Sequence, residues 1–266
     1  MLKEELPIMN IIREAENNDI SRIIEIMTQQ INNTILEKTI YGAKGIDKYL
    51  IDNLNKKEEY QEKINMVYEI DGLVVGYVEL LLESENLFIN YIVIDKRYTG
   101  KGIGKELLNS AIDKCSLNRK FKYIFIDVFN KNIRAKEWYK KIGFKEVSRT
   151  KWIEINIQSN YKFTDYDNIK ITNYEKAKKQ HDELGFAIYF IEDNKKIYKI
   201  GFINEILKLF DYSIIDNDKL IAFIKREFNY KKVWGAFNNY LGKYESNLID
   251  ELLRMRISYR DYLKYT

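Results

Sequence analysis

The sequence predicts an α/β fold: a mixed central sheet with helices on its faces over residues 1–158, then a second, smaller α+β domain over 159–266. Three observations carry this expectation. Asp71-Gly72 joins two runs rich in β-branched and aromatic residues, a two-residue hairpin signal. Gly100-Lys-Gly102-Ile-Gly104-Lys105 then follows a strand and opens a helix whose first amides carry little side-chain bulk. Finally, Asn132-Ile-Arg-Ala135-Lys-Glu-Trp-Tyr139-Lys-Lys-Ile-Gly143-Phe144 reads as an N-cap, an apolar helical face and a glycine stop.

The elements are expected in this order. Residues 8–16 form a strand that leads into a helix capped by Asp19, with Ile20, Ile23, Ile24 and Met27 as its apolar stripe. A second helix spans Asp47 to Leu54. Strands follow at Asn65–Ile70, Leu73–Leu82 and Leu87–Ile94. The helix from Gly102 to about Ser116 buries Ile103, Leu107, Leu108, Ala111, Ile112 and Cys115. Tyr123–Phe129 is almost wholly apolar, as befits a strand covered on both faces. After the Asn132 helix come strands at Phe144–Ser148 and Trp152–Ile157. A polar, tyrosine-rich stretch, residues 159–168, is the expected linker. Beyond it, Phe186–Ile191 and Lys196–Ile203 form a hairpin, and helices are expected over Asp216–Asn229 and Glu245–Leu263. The glycine and Asn–Tyr motifs are not repeated there.

Composition narrows the function classes. The net charge is +4, from 44 basic and 40 acidic residues, without the basic stripe of a nucleic-acid binder. Residues 161–266 hold 19 Lys and Arg against 16 Asp and Glu, so this half is no basic arm either. No apolar run reaches the roughly eighteen residues of a membrane span, and Met1–Pro7 lacks the pattern of a signal peptide. Cys115 is the only cysteine, which excludes an internal disulfide. A cytoplasmic protein is expected. The bias toward Ile, Lys, Asn and Tyr suggests AT-rich coding and a bacterial source.

Glycines at three alternating positions let backbone amides close around a pyrophosphate, and the helix dipole adds about 0.3–1 kcal/mol per exposed charge. The spacing excludes a P-loop, which needs Ser or Thr where Glu106 stands, and a Rossmann turn, which needs G-x-G-x-x-G. The plain alternative is a tight turn before a helix.

The stretch Ile92-Val-Ile-Asp-Lys-Arg-Tyr98-Thr-Gly-Lys-Gly-Ile-Gly-Lys-Glu-Leu-Leu108 resembles motif A of the GCN5-related N-acetyltransferases (GNAT). Asn132-x-x-Ala135-x-x-x-Tyr139-x-x-x-Gly143-Phe144 resembles their motif B. The likeness covers residues 8–158 and leaves the last hundred unassigned. It implies a GNAT-like sheet and acetyl-CoA as co-substrate, with no metal. The pantetheine arm would pair with the backbone of Ile92, Val93 and Ile94. The pyrophosphate would meet the amides of Thr99, Gly100, Lys101, Gly102, Ile103, Gly104 and Lys105. Asn132 would bond the pantetheine or diphosphate region, and Tyr139 would protonate the departing thiolate. A phenol with a pKa of about 10 suits that role, since it is protonated at neutral pH. The family usually has Gln or Arg just before the first glycine, where this chain has Thr99. Arg97 fits the spacing only two residues early, a register expected to misplace the helix.

In one branch of the family a strand-four glutamate acts as base, and the matching position here is Phe88. A hairpin centred on Ser84-Glu85 sets Leu82 opposite Leu87 and Glu79 opposite Asn90, on the face shared by Phe88, Asn90 and Ile92. Glu79 is therefore the candidate base, with an exposed strand glutamate as the plain alternative. Among other residues, His181 reads as a surface residue and Cys115 as core. Trp234, Phe237, Tyr240 and Tyr244 read as one apolar helix face, and the lysine pairs 178–179, 195–196 and 231–232 as solvated.

The resemblance implies an N-acetyltransferase that moves an acetyl group to a primary amine of a small molecule by direct attack in a ternary complex. A protein N-terminus as acceptor, or a non-catalytic acyl-CoA-binding module, stays open. The second half would supply acceptor pocket or homodimer interface, or be a degenerate second GNAT-like half.

Overall fold

A computed structural model describes residues 9–55, 63–117, 119–157, 166–238 and 242–265, and every structural statement concerns those residues. Most of the expected linker lies outside them. The chain opens with β1 (Asn10–Glu14), a capped 3-10 turn over residues 17–19, and helices α1 (Ile20–Gln30), α2 (Asn33–Leu36) and α3 (Ile46–Leu54). The antiparallel strands β2 (Lys63–Ile70), β3 (Leu73–Glu83) and β4 (Asn86–Ile94) follow, then α4 (Ile103–Ser116), β5 (Tyr123–Phe129), α5 (Ile133–Ile142) and β6 (Lys145–Ile155). The second half runs β7 (Ile169–Ile171), α6 (Tyr174–Leu184), β8 (Phe186–Asp193), β9 (Lys196–Ile203), β10 (Ile206–Leu209), α7 (Ser213–Asp216), α8 (Asp218–Glu227), β11 (Lys232–Phe237), β12 (Ser246–Ser258) and α9 (Tyr259–Tyr262). No helix among the described residues is long and apolar enough to cross a membrane.

Local chemistry explains the turns. Asp71 and Gly72 both take positive φ, 48° and 81°, which gives the tight two-residue turn whose twist matches the strands. Asn194 and Lys195 do the same between β8 and β9.

The two halves share a single sheet, in the order β1-β2-β3-β4-β5-β12-β6-β11-β10-β9-β8-β7. β12, the last strand, lies between β5 and β6 of the first half, while β6 pairs on its other side with β11. The strand order is thus symmetric about β12 and β6. Both halves pair a short strand with an antiparallel run, then place a helix before a parallel neighbour: β4 with β5, and β10 with β11.

This arrangement corrects three expectations. Residues 245–263 are chiefly the 13-residue strand β12 and not a helix. Leu252 and Leu253 suit a helical stripe, but Leu253, Met255 and Ile257 alternate at the strand period and are all buried beneath α4 and α5. Pairing with two neighbours overrides the local preference. Likewise Trp234 and Phe237 belong to β11, and Trp234 is fully buried with its ring 4.4 Å from Trp152. The strands expected at 144–148 and 152–157 are one continuous strand, β6.

Residues 1–158 expressed alone would leave the facing edges of β5 and β6 unpaired, because β12 fills the gap between them. That fragment is expected to aggregate or unfold without a cooperative transition, read by thermal melting and size-exclusion chromatography. Adding residues 159–266 as a separate chain should restore a folded species.

Candidate active site

The parallel ladder between β4 and β5 covers only Asn86–Ile89 and Tyr123–Ile126 and then stops, so the strands splay toward their C-terminal ends. Just beyond the last pair, β4 carries an extra residue. Leu80 faces Ile89 and Glu79 faces Tyr91, which leaves Asn90 as the bulge. The bulge reverses side-chain parity. Leu87 and Ile89, then Ile92 and Ile94, face the core under α4, while Tyr91 and Val93 face α1 and α3. Glu79 is therefore not opposite Asn90, and Phe88 does not share a face with Ile92. Along Ile92, Val93 and Ile94 one edge pairs with β3, and the edge facing the splay offers backbone groups rather than side chains.

The glycine turn stands at the mouth of this splay. Asp95 caps the 3-10 turn Lys96–Tyr98, accepting from the Arg97 amide at 2.9 Å, and the Thr99 hydroxyl donates to Lys96 O at 3.0 Å. Gly100 and Gly102 lie at φ 82° and 85°, a region that favours glycine, and Gly102 caps α4. A Cβ on Gly100 would meet nothing within 4 Å, so the space outside this turn is open. The first-turn amides of Ile103 and Gly104 have no partner within the helix, whereas Lys105 N already donates to Gly102 O at 2.9 Å. The Ile103 side chain is buried in the core; those of Lys101 and Lys105 are exposed.

Arg97 is better placed than the sequence suggested. Since α4 starts at Ile103 directly after Gly102, the spacing Arg97-x-x-Gly100-x-Gly102 does not displace the helix. Its exposed guanidinium is held by Asp95 at 2.7 Å. Asp95 is buried and also paired with Arg22, whose Nε donates to Val74 O at 3.0 Å. The Arg97 hydrogen bond, joined by that of Arg22, holds the Asp95 carboxyl well below the usual carboxylate range. Because its folded pKa is depressed, the stability Asp95 contributes is present above its unfolded pKa of about 3.9 and is lost as pH falls below it. Asp95→Asn should cost about 3 kcal/mol, as for a broken buried pair, measured by urea denaturation at pH 7. The difference from wild type should shrink as the pH is lowered through 4.

The Asn132 side chain caps α5, accepting from Ala135 N at 3.2 Å, so its carbonyl is engaged and its exposed amide is what a ligand could meet. Gly143 ends the helix at φ 107°, and Phe144 N returns to Tyr139 O at 3.0 Å. Tyr139 is 4% exposed, packed against Trp138 and Phe144, and its hydroxyl makes no hydrogen bond to another described residue. Burial raises its pKa.

Glu79 is not an exposed strand glutamate, being only 2% exposed. It accepts from Asn90 Nδ2 and from the Tyr77 hydroxyl at 3.3 Å, with Lys63 Nζ at 3.5 Å. The single Tyr77 hydroxyl proton is shared with Asn65 Oδ1, the nearer acceptor at 2.8 Å, and Tyr91 meets Tyr41 edge-on at 4.6 Å. Burial first, and then the charge of Glu79, raise the pKa of Tyr77 and Tyr91. Tyr139 and Glu79 thus sit on opposite faces of the sheet, Tyr139 with α4 and α5, Glu79 with the residues under α1 and α3. The splay lies between them. Asn65, Tyr41, Tyr77 and Tyr91 were not singled out in the sequence, and Asn90 entered only as the residue opposite Glu79; the available signal was three polar residues, Asn65, Glu79 and Asn90, interrupting apolar strands.

Two other residues are settled by packing. Cys115 is buried, and its thiol is pushed up to about 12, chiefly by burial, which suits core rather than nucleophile. His181 is not a free surface residue: its Nε2 lies 2.7 Å from Asn204 O, and its ring packs on Phe202.

A splayed parallel pair, a glycine-started helix N-terminus and a capped tyrosine helix stand together on one part of the sheet. Residues 29–144 match the model of the Acetyltransferase (GNAT) family. A spermine/spermidine N(1)-acetyltransferase of Bacillus subtilis is 31% identical over 98 residues, 34% of this chain and 63% of that one. An uncharacterized N-acetyltransferase of Methanocaldococcus jannaschii is 27% identical over 153 residues, 54% of this chain and 65% of that one. The chain therefore spans less than two thirds of the length of these curated relatives. A GCN5-related N-acetyltransferase structure from Sphaerobacter thermophilus aligns over 94% of this chain and 95% of its own, with a TM-score of 0.58 at 10% identity. A putative acetyltransferase structure from Pyrococcus horikoshii aligns over 97% and 92%, with a TM-score of 0.56 at 14% identity. At such identities the likeness shows the fold, and it extends to both halves.

Proposed function

We propose that this chain is an acetyl-CoA-dependent N-acetyltransferase that acetylates a primary amine of a small molecule by direct attack. The observation that carries the reading is the meeting, at one splayed strand pair, of a bare helix N-terminus and a buried tyrosine whose hydroxyl has no hydrogen bond among the described residues. The co-substrate fits the residues present, because positive-φ glycines and open space at Gly100 leave room for a diphosphate beside the first-turn amides. Bound acetyl-CoA supplies the acyl group as a thioester.

The chain's own groups then divide the task. The amides from Thr99 to Gly104, with Lys101, Lys105 and Arg97 near, hold the diphosphate; Lys105 takes part through its side chain. The edge of Ile92–Ile94 away from β3, where Ile94 O already accepts from Gln30 Nε2 at 2.9 Å, pairs with the pantetheine arm and turns a backbone amide toward the developing oxyanion. The Asn132 amide bonds the same arm. Tyr139 holds the proton for the leaving sulfur. On the opposite face Glu79 draws the amine and takes its proton, directly or through water. Tyr41, Tyr77 and Tyr91 around that carboxylate suit a cation, since aromatic faces attract ammonium groups. The name of the Bacillus relative, a spermine/spermidine N(1)-acetyltransferase, makes polyamines the first acceptors to try. In the second half we read a degenerate copy of the same fold: its strand order mirrors the first, but no glycine turn stands between β10 and α8.

The test is release of free CoA from acetyl-CoA in the presence of spermidine, spermine, simple monoamines, amino acids and N-terminal peptides. Turnover with a small amine is expected. Binding of acetyl-CoA without turnover of any amine would overturn the enzyme reading in favour of a binding module.

A further inference from the structure

We propose that the C-terminal half sets acceptor selectivity by clamping, through Asn204, the loop that roofs Glu79; this rests on the acceptor side proposed above. The loop runs from α2 to α3 and holds the 3-10 turn Ile40–Gly42. Tyr41, 3% exposed, lies on that turn and packs edge-on against Tyr91, which faces Glu79 across the β3–β4 ladder.

The loop and the first turn of α3 are both contacted by the second half. Asn204, in the turn between β9 and β10, donates from Nδ2 to Gly42 O at 2.9 Å and accepts at Oδ1 from Lys44 N at 3.4 Å. Gly45 N donates to Leu184 O at 3.0 Å, and Lys48 pairs with Glu183 at 3.0 Å. Glu37, where the loop begins, pairs with Lys232 at 2.8 Å.

Asn204 is built into this position. Its φ is 51°, a region asparagine visits more readily than most residues. Its amide donates to Gly185 O at 2.5 Å, and its carbonyl lies 2.7 Å from His181 Nε2. Gly185, at φ 76°, has no room for a side chain: a Cβ would come within 2.8 Å of Asn204 Oδ1. One side chain thus joins backbone groups 160 residues away to a rigid turn. Asn204 is a positioning residue. It acts on the acceptor through Tyr41 and touches no reacting atom.

The test is Asn204→Gly, which deletes the clamp while keeping a residue at ease at positive φ. Faster amide exchange is expected across residues 40–49. The amine KM should rise about three- to tenfold, the scale of one or two net hydrogen bonds, with the acetyl-CoA KM unchanged. Unchanged exchange would overturn the clamp. Faster exchange with an unchanged amine KM, or with both KM values raised equally, would overturn its role in acceptor binding. If the wild type acetylates no amine, the activity reading fails and the acceptor role with it, while exchange still decides the clamp.

Discussion

Tyr139→Phe is expected to lower kcat by about 10²- to 10³-fold, the usual contribution of a positioned proton donor, while leaving acetyl-CoA affinity unchanged. Stability should move by less than about 0.5 kcal/mol, because the ring stays packed on Trp138 and Phe144 and the lost hydroxyl has no hydrogen bond among the described residues. The pH dependence has a defined sign. Burial raises the phenol's pKa, so the donor form persists through the ordinary tyrosine midpoint near pH 10. The wild type should therefore show no alkaline loss of kcat from this group between pH 7 and about 10. Steady-state kinetics and calorimetry on the purified variant decide the matter, and an unchanged kcat would remove Tyr139 from the mechanism.

Gly102→Glu should weaken acetyl-CoA binding by about 100-fold or more, some 2.7 kcal/mol, as read by calorimetry. Two effects combine. A side chain at φ 85° costs about 1–3 kcal/mol of backbone strain, which disturbs the first turn of α4. A carboxylate there also takes the anion position at the helix N-terminus that a diphosphate would occupy. Gly102→Ala carries the strain without the charge and should fall between variant and wild type. Wild-type affinity in Gly102→Glu would mean that this turn does not hold the diphosphate.

Much of the first half was legible because its signals are local. Asp71-Gly72, the α4 stripe from Ile103 to Cys115 and the Asn132 and Gly143 caps each declare themselves within a few residues. The register of Glu79 was not legible, because the bulge at Asn90 has no turn chemistry to announce it; it exists where β4 leaves β5. Nor was β12. Ile249, Leu252 and Leu253 satisfy a helical period while Leu253, Met255 and Ile257 satisfy a strand, and only the open slot between β5 and β6 chooses.

The sequence by itself determined the glycine turn and the tyrosine helix, since capping and positive-φ glycine depend on neighbours in the chain. Tertiary structure alone decided that the two halves form one sheet, that Glu79 is buried among tyrosines, and that His181 and Asn204 hold the loop over it. Those outcomes are contacts between residues tens to more than a hundred positions apart, where pairing and burial outweigh any preference a short window of sequence can express.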